Sequence, residues 1–430
     1  MKVNIITLGC SKNTVDSENI AGHLRKAGIE VYFDRSKNDC DVVIVNTCGF
    51  IGDAKEESVN ILLQQASVKT RGHKQRRIIA AGCLVERYRD ELQREIPEID
   101  SFYGVHEWDD LVKSLVRDSH QPFESERTLS TPTHYGYLKI SEGCNRKCAY
   151  CAIPLIRGAH KSRPIDDLVA EAQQMVACGV KEIIVIAQDT TYYGLDLYGR
   201  RRLGELLERL AKESGATWIR LHYTYPTSFP EDAIDVMRRY DNICNYIDIP
   251  LQHIDSGILR SMQRGINREG TLRLLEKFRQ QLPNVAIRTT LIVGYPGETE
   301  AQFQELKQFV ANARFDRMGV FAYSPEEGTP AYVLGDPIDE EEKQRRIDEL
   351  MALQEQISLE KNEAKVGHTF QTIIDRKEGD YWVGRTEYDS PEVDDEVLIH
   401  SPRPLKIGHF YNVTINEALE NDLIGTAQMP

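Results

Sequence analysis

Three cysteines lie within eight consecutive positions near the middle of the chain. Cys144, Cys148 and Cys151, called here the loop trio, follow a predicted strand at 137–140, so one loop can wrap them around a metal centre. Thiolates suit zinc or iron–sulfur clusters. Structural zinc takes four ligands, and no fourth Cys or His completes an obvious finger. A cubane held by three thiolates keeps one iron free to bind a substrate. Zinc with a distant fourth ligand and unrelated buried cysteines are the alternatives.

A second set of three thiols is dispersed in sequence. Cys10, Cys48 and Cys83, called here the strand-end trio, each follow the end of a predicted buried strand. The carboxyl ends of parallel strands converge on one crevice, so topology brings the three thiols together. We interpret them as ligands of a second cluster, again with an open iron. The alternative is three small buried residues, because cysteine is often buried. The cysteines predicted only to pack are Cys40, Cys178 and Cys244.

The CxxxCxxC spacing, with an aromatic residue before the last cysteine, resembles the radical S-adenosylmethionine (SAM) enzymes. That resemblance implies a [4Fe–4S] cluster on the loop trio, whose open iron chelates the amino and carboxylate groups of SAM. It also implies that one electron cleaves SAM to methionine and a 5′-deoxyadenosyl radical. The fold it implies is a partial barrel of six β/α units.

The same resemblance suggests which residues contact SAM. Tyr150 occupies the aromatic position near adenine. Gln188 and Asp189 follow the second barrel strand, where related enzymes bind the SAM amino group with a Gly-Gly-Glu motif; this chain has Ala-Gln-Asp there. Asp248 and Gln252 bracket the end of the fourth strand and are predicted to reach ribose.

Two further features complete the predicted SAM site. Arg288, on the fifth strand, is predicted to pair with the SAM carboxylate, which suits a planar guanidinium. The segment 292–298 resembles the turn on the adenine side. For every SAM contact named, packing or a surface ion pair is the competing interpretation. His222 and His253 also follow strands and are predicted to be hydrogen-bonded cleft residues rather than ligands.

The first ~115 residues alternate short apolar runs with helical patterns. Strands are predicted at 3–8, 42–45 and 78–81, and helices at 16–26 and 53–67. This alternation predicts a parallel sheet with right-handed crossovers.

From residue 135 to about 330, helical patterns separate six predicted strands: 137–140, 182–186, 218–223, 246–249, 285–293 and 318–323. Thr299 and Gln302 form a capping-box pattern, and an apolar stripe of Phe303, Leu306 and Val310 follows. Six β/α units predict a complete or partial barrel.

The last part of the chain is predicted to be one charged helix at 339–366, with Gly367 as its C′ residue, followed by strands. The five strands, at 369–374, 381–386, 396–400, 410–415 and 423–427, predict a small antiparallel barrel of the OB type. We therefore expect an α/β protein with a cluster domain (1–117), a linker (118–134), a radical SAM core (135–338), a connecting helix (339–366) and a terminal barrel (367–430).

Two three-cysteine sets followed by a small barrel resemble the methylthiotransferases over essentially the whole chain. That family has an N-terminal cluster domain, a radical SAM domain and a TRAM domain, and it replaces an unactivated C–H bond with C–S–CH3. One bacterial branch modifies an adenosine derivative in tRNA, and the other the β-carbon of an aspartate in ribosomal small-subunit protein twelve. Segments 8–13, 16–18, 46–51, 139–144 and 187–190 resemble the second branch, although Ser11 replaces its usual Pro and Ala187 its usual Ser.

Charge favours the same branch. The chain has 53 Lys and Arg against 67 Asp and Glu, a net charge of −14. The barrel region from residue 365 has six basic and twelve acidic residues. An RNA-binding barrel should be basic, whereas an acidic one suits docking of a basic ribosomal protein. The competing interpretations are a merely solvated acidic surface, a tRNA substrate favoured by the basic run 71–77, and a zinc-stabilised scaffold that binds ribosomal protein.

The resemblance implies two [4Fe–4S] clusters and SAM as cofactors, and an electron donor such as flavodoxin or ferredoxin. In the mechanism that the resemblance implies, the radical takes hydrogen from the aspartate β-carbon. A (methyl)sulfide on the strand-end cluster is then expected to supply sulfur, and a second SAM the methyl group. No catalytic residue is expected beyond the cluster ligands, because C–H activation needs no protein acid or base. No apolar run approaches the ~20 residues that span a bilayer, so we expect a cytosolic protein with reduced thiols and no membrane partner.

Overall fold

The computed structural model describes residues 1–71, 76–116 and 127–428. The N-terminal domain is a parallel sheet of five strands in the order β2-β1-β3-β4-β5. Its strands are β1 (Lys2–Thr7), β2 (Glu30–Phe33), β3 (Val42–Thr47), β4 (Arg77–Gly82) and β5 (Ser101–Tyr103). Its helices are α1 (Ser11–Lys26), α2 (Gly52–Arg71), α3 (Cys83–Glu95) and α4 (Trp108–Leu115).

The central strand explains why this sheet is parallel. Every residue of β3 is buried, which is typical of a strand covered by helices on both faces. The predicted strands and helices of this domain are all present, but β2, β5, α3 and α4 escaped prediction. The two missed strands are short edge strands of half-buried residues, and α3 is interrupted by non-helical backbone at Tyr88, which blurs its periodicity.

Residues 118–126 of the predicted linker lie outside the described residues. Its described end, from residue 127, packs against both neighbouring domains. The buried Arg127 guanidinium lies 2.6 Å from Glu18 on α1 and 2.6 Å from Glu171 in the next domain.

The central domain contains the six predicted parallel strands and a short two-stranded ribbon. The strands are β6 (Tyr135–Lys139), the ribbon β7 (Ser141–Glu142) and β8 (Lys161–Ser162), then β9 (Glu182–Ile186), β10 (Trp218–Leu221), β11 (Tyr246–Asp248), β12 (Ala286–Val293) and β13 (Arg317–Ala322). They form two parallel sheets, β10-β9-β6 and β11-β12-β13, and a parallel bridge from Ile219 to Ile243 lies between them. The arrangement is a partial barrel, as predicted.

Eight helices accompany these strands: α5 (Ile153–Arg157), α6 (Ile165–Ala177), α7 (Leu195–Tyr198), α8 (Leu203–Glu213), α9 (Glu231–Arg239), α10 (Ser256–Ser261), α11 (Arg268–Gln281) and α12 (Glu300–Ala313). The capping box of Thr299 and Gln302 is present at the start of α12. The predicted apolar stripe of that helix is buried in the domain core.

A long helix, α13 (Glu340–Glu363), leads to the C-terminal barrel. Its C-cap is Ala364 with αR backbone, so the prediction of Gly367 as C′ was wrong. Gly367 instead has a φ of +84°, and its N–H donates to the Ile415 carbonyl. The left-handed glycine therefore turns the chain into the barrel rather than ending the helix.

The C-terminal barrel is closed by five strands in the order β14-β15-β16-β18-β17. They are β14 (Thr369–Glu378), β15 (Tyr381–Arg385), β16 (Glu396–His400), β17 (Phe410–Ala418) and β18 (Asp422–Ala427). The pairings are antiparallel except β16 with β18, which is parallel. The predicted all-antiparallel barrel was wrong in this one pair, because the last strand lies beside β16 rather than only beside its neighbour in sequence.

The barrel packs on the amino ends of the central strands. Trp218, the first residue of β10, meets Phe410 edge to face with ring centroids 4.7 Å apart. Glu182, the first residue of β9, binds Arg220 and Arg385, the latter from β15. The carboxyl ends of the same strands point away from the barrel. No helix within the described ranges is long and apolar enough to cross a membrane.

Candidate active site

The strand-end trio lies where the topology predicted it. Cys10 is the N-cap of α1 just past β1, Cys48 directly follows β3, and Cys83 is the first residue of α3 directly after β4. These three strands are neighbours in the sheet. Gly9, with a φ of +88°, makes the close approach possible, since a Cβ there would lie 2.7 Å from the Cβ of Cys48.

Burial and nearby cations act in opposite directions on this trio. Burial raises the pKa of the Cys48 thiol and raises that of Cys83 to about 12. For Cys10, burial also acts upwards, but the Lys12 and Arg157 charges outweigh it and lower its pKa. An Arg157 nitrogen lies 3.5 Å from the Cys83 sulfur. The positive charges of Lys12 and Arg157 favour the thiolate forms of these cysteines, which are the forms that bind a metal.

The loop trio lies between β7 and α5, at the carboxyl side of the central strands. Gly143, with a φ of +72°, starts the loop and passes the Ala159 carbonyl too closely for any Cβ. The Cys144 N–H donates to the Gly158 carbonyl. Burial raises the pKa of Cys144 to about 11 and also raises that of Cys151. A metal centre would bind these thiols by replacing their protons.

The donor set of both trios consists of cysteine sulfur alone. Within the described ranges, no three His, Cys, Asp or Glu side chains are arranged to hold one metal ion. In an iron–sulfur cubane each thiolate binds a different iron, so the ligands need not converge on one point. Three-thiolate binding of a cluster that keeps one iron open stays the prediction for each trio.

A cavity of about 480 Å³ opens between the N-terminal domain and the central strands. Tyr150 and Gln252, both predicted SAM contacts, line it together with Thr290 and Ile292 of β12. Gln252 has a φ of +73°, and its buried side-chain carbonyl has no hydrogen-bond partner. The cavity thus offers an apolar wall and a free acceptor beside the loop that carries the trio.

The other four predicted SAM contacts are engaged within the protein. Gln188 donates to Glu142 at 3.1 Å, and Asp189 accepts from Arg146 at 2.6 Å. Arg288 lies 3.2 Å from both Asp248 and Asp394 of the barrel domain. Arg288 thus lies near the amino end of β12, on the side of the barrel domain. The SAM roles of the four residues stay predictions.

The remaining side chains singled out in the sequence fall in different places. The His222 ring lies 2.9 Å from the Ser390 hydroxyl, and burial lowers its pKa to about 3; His253 accepts from the Asp255 N–H. Both are hydrogen-bonded, as predicted. Cys40 and Cys244 are buried, but Cys178 is exposed, so the prediction that it packs was wrong because it lies at the outer end of α6.

Two residues beside the loop trio were missed in the sequence. The Arg264 guanidinium, which is buried, lies 3.4 Å from the Cys148 sulfur and 3.3 Å from the Tyr150 hydroxyl. The Tyr225 hydroxyl lies 3.4 Å from the same sulfur. No spacing pattern marks them, because they reach the trio from the loops after α10 and β10.

A buried charge network connects the two trios. Arg157, on the helix after the loop trio, binds Asp16 of α1 at 2.9 Å and Glu142 at 3.0 Å. The same guanidinium reaches Cys83 of the strand-end trio, and Lys139 binds both carboxylates from the other side. The network fixes the N-terminal domain against the central one, so the trios hold a defined separation.

Comparison with known families matches all three domains. The radical SAM superfamily matches residues 138–310, the uncharacterised protein family UPF0004 matches residues 2–104, and the TRAM domain matches residues 366–427. Among solved structures, the radical SAM methyltransferase TsrM from Kitasatospora setae has a TM-score of 0.57 at 14% identity, over 77% of each chain. Fold and family together define a radical SAM enzyme with a TRAM domain.

Two relatives are similar over nearly their full length. The proteins of Phocaeicola vulgatus (53% identity over 98% of each chain) and Flavobacterium johnsoniae (54% identity over 99% of this chain and 97% of the relative) are both named ribosomal protein uS12 methylthiotransferase RimO. The chain belongs to the family of ribosomal protein uS12 methylthiotransferases.

Proposed function

We propose that this enzyme methylthiolates ribosomal protein uS12 at the β-carbon of an aspartate, with SAM and two [4Fe–4S] clusters. The observation that carries the proposal is the pairing of the two thiol trios across one domain boundary. Each trio consists of cysteines alone and lies at strand carboxyl ends, and Arg157 lies between them.

The residues that would hold the cofactors follow from this arrangement. The loop trio would bind one cluster and the strand-end trio the other, with SAM in the cavity beside Tyr150 and Gln252. When bound, the first cluster with SAM supplies hydrogen-atom abstraction, and the second supplies sulfur. The chain itself binds, orients and excludes water, while the cofactors carry the bond-breaking chemistry.

The side chains around the loop trio have a supporting role in this proposal. The Arg264 guanidinium directs a hydrogen-bond donor at the Cys148 sulfur, and the Tyr225 hydroxyl beside that sulfur donates to the Arg264 carbonyl. Hydrogen bonds to thiolate sulfur tune a cluster's reduction potential. The charge network of Arg157 and Asp16 keeps the two sites aligned. Both act by position, and neither takes part in proton transfer.

We propose that uS12, a ribosomal protein and hence of basic character, docks on the acidic barrel. Several of the barrel's carboxylates are taken by internal ion pairs, such as Asp375 with Arg385 and Asp389 with Arg317. Its exposed acidic residues are Glu378, Asp380, Glu392, Glu417 and Glu420. Of these, Glu378 pairs with Arg376, and Glu392 accepts from the Tyr135 and Tyr137 hydroxyls. Opposite charge speeds such an encounter. The reductant, a flavodoxin or ferredoxin, and a cytoplasmic location belong to the same proposal.

Mass spectrometry of uS12 and of tRNA from a strain lacking this gene tests the proposal. We expect uS12 to lack one methylthio group at a single aspartate, and the group to return with the wild-type gene. Cys148→Ala should abolish both SAM cleavage and modification. Cys48→Ala should keep some SAM cleavage yet leave uS12 unmodified. Unmodified tRNA adenosine with normal uS12 in the deletion strain would contradict the proposal and favour the tRNA alternative.

A further inference from the structure

The Lys12 side chain is largely buried, and its ammonium has no carboxylate partner among the described residues. Only 7% of its surface is exposed, and its ammonium lies 3.0 Å from the centroid of the Tyr223 ring. None of the ion pairs or side-chain hydrogen bonds among residues 1–71, 76–116 and 127–428 involves that ammonium. A ring face alone stabilises an ammonium less than a carboxylate partner does.

The other buried lysines show how unusual this is. Lys139 binds Asp16 and Glu142. Lys343 binds Asp336 at 2.6 Å and Glu340 at 2.7 Å. Each of these two lysines thus has two carboxylates, whereas Lys12 has none, although acidic residues outnumber basic ones in the chain. The missing anion is therefore expected from outside the chain.

The position of Lys12 adds to its positive field. It lies in the first turn of α1, where the helix already presents its positive end and carries no acidic side chain. A cation at this end opposes the helix dipole and is normally disfavoured. The two positive contributions together form a site for an anion.

The site lies beside the strand-end trio, where α1 meets the central domain. Lys12 follows Cys10 by two residues, and its charge lowers the pKa of that thiol. Its partner Tyr223 lies just past β10 in the central domain, and Ser11 meets the Tyr223 hydroxyl at 3.5 Å. The anion would therefore bind at the boundary where sulfur and radical chemistry must meet.

The Tyr223 backbone shows that this boundary is preorganised. Its φ of +54° is uncommon for an aromatic residue. Its N–H donates to Asp248 at 2.9 Å, and its carbonyl accepts from the Thr190 N–H. These bonds hold a strained conformation, and the strain sets the ring beneath the Lys12 ammonium.

We propose that Lys12 binds the side-chain carboxylate of the substrate aspartate. This inference rests on the proposed function. That carboxylate is bonded directly to the β-carbon that reacts, so fixing it positions the reacting carbon beside the strand-end trio. An adenosine in tRNA has no such carboxylate, which makes Lys12 a specificity-determining residue for a protein substrate.

Two other anions are alternative occupants of this site. One is the carboxylate of bound SAM, and the other is a centre bound through the Cys10 thiolate. Only the proposal predicts that the contribution of Lys12 to uS12 binding depends on whether the target residue is charged.

The test measures binding of full-length uS12 to the anaerobic holoenzyme, without turnover and at equal iron content. Two forms of uS12 are compared, with the target aspartate intact or changed to Asn. We expect wild-type enzyme to bind the Asp form about tenfold more tightly than the Asn form. Lys12→Met should bind both forms equally, while Lys12→Arg and the exposed control Lys161→Met should keep the preference.

Three results would overturn the inference. Lys12→Met could bind both forms of uS12 as the wild type does. It could also weaken binding of both forms by the same factor, so that the preference for the Asp form persists. It could also weaken SAM binding, measured by equilibrium dialysis, while the preference persists, which would assign Lys12 to SAM. Methylthiolation of uS12 by wild-type enzyme is measured separately: its absence refutes the proposed function and the inference with it, whereas its presence confines any failure to Lys12.

Discussion

At the scale of single residues, the boundary between barrel and core contains a carboxyl group that should titrate near neutrality. Burial raises the pKa of Asp395 to about 7, since its Arg317 partner at 3.1 Å is shared with Asp389. Asn362 and Lys365 also face this group. The folded protein therefore holds this proton more tightly than the unfolded chain does.

Stability should depend on pH accordingly. Between about pH 4 and pH 7, unfolding releases the Asp395 proton, so this group makes the folded state less stable as pH rises through that window. Asp395→Asn should remove this loss and stabilise the protein at pH 8 by about 1–3 kcal/mol, with little change at pH 4. Urea unfolding at both pH values measures it, with the exposed Asp380→Asn as control. An equal effect of Asp395→Asn at both pH values would contradict the assignment.

Residue identities could be predicted where a local pattern carries the chemistry. The CxxxCxxC spacing and three cysteines at strand ends are such patterns. Arg264 and the free ammonium of Lys12 could not be predicted, because their meaning lies in contacts between residues far apart in sequence. Arg288 illustrates the same limit, since its strand was predicted but its ion pair with Asp394 joins two domains.

At the scale of elements, the buried ion pairs under the central strands bind the barrel to the core. Glu182 of β9 receives both Arg220 and Arg385, and all three side chains are buried. Arg385→Met removes one partner and leaves Asp375 and Glu182 undercompensated. We expect a loss of about 3–5 kcal/mol in the free energy of unfolding.

The matched control is Arg376→Met on the same barrel. Its guanidinium binds Glu378 and Glu396 near the surface and is 46% exposed, so we expect a loss under about 1 kcal/mol. Urea unfolding compares the two variants. Equal losses would mean that the buried pairs do not hold the barrel in place.

Long, strongly patterned elements were predictable, whereas those set by tertiary context were not. The capping box of α12 and the buried β9 needed only local sequence. The edge strands β2 and β5 and the kinked α3 lack a full periodic pattern. The parallel pairing of β16 with β18 depends on barrel closure, which no single segment encodes.

At the scale of the whole molecule, the three domains divide the work by position. The barrel covers the amino ends of the central strands. The N-terminal domain faces the opposite, carboxyl side, where the loop trio lies and the cavity opens. The sequence indicated the domain order and both trios. Only the structure shows that the C-terminal barrel covers the amino ends of the central strands and that the N-terminal domain lies at their carboxyl ends.

The central claim is that six cysteines hold two separate clusters, three ligands each. Iron and acid-labile sulfide are measured per chain in anaerobically reconstituted protein, for wild type, Cys48→Ala and Cys148→Ala. Two [4Fe–4S] clusters predict about eight irons in wild type and about four in each variant. The two variants should also retain different clusters, distinguishable by electron paramagnetic resonance. Zinc in place of iron, or loss of all iron from either single variant in a folded protein, would contradict the account.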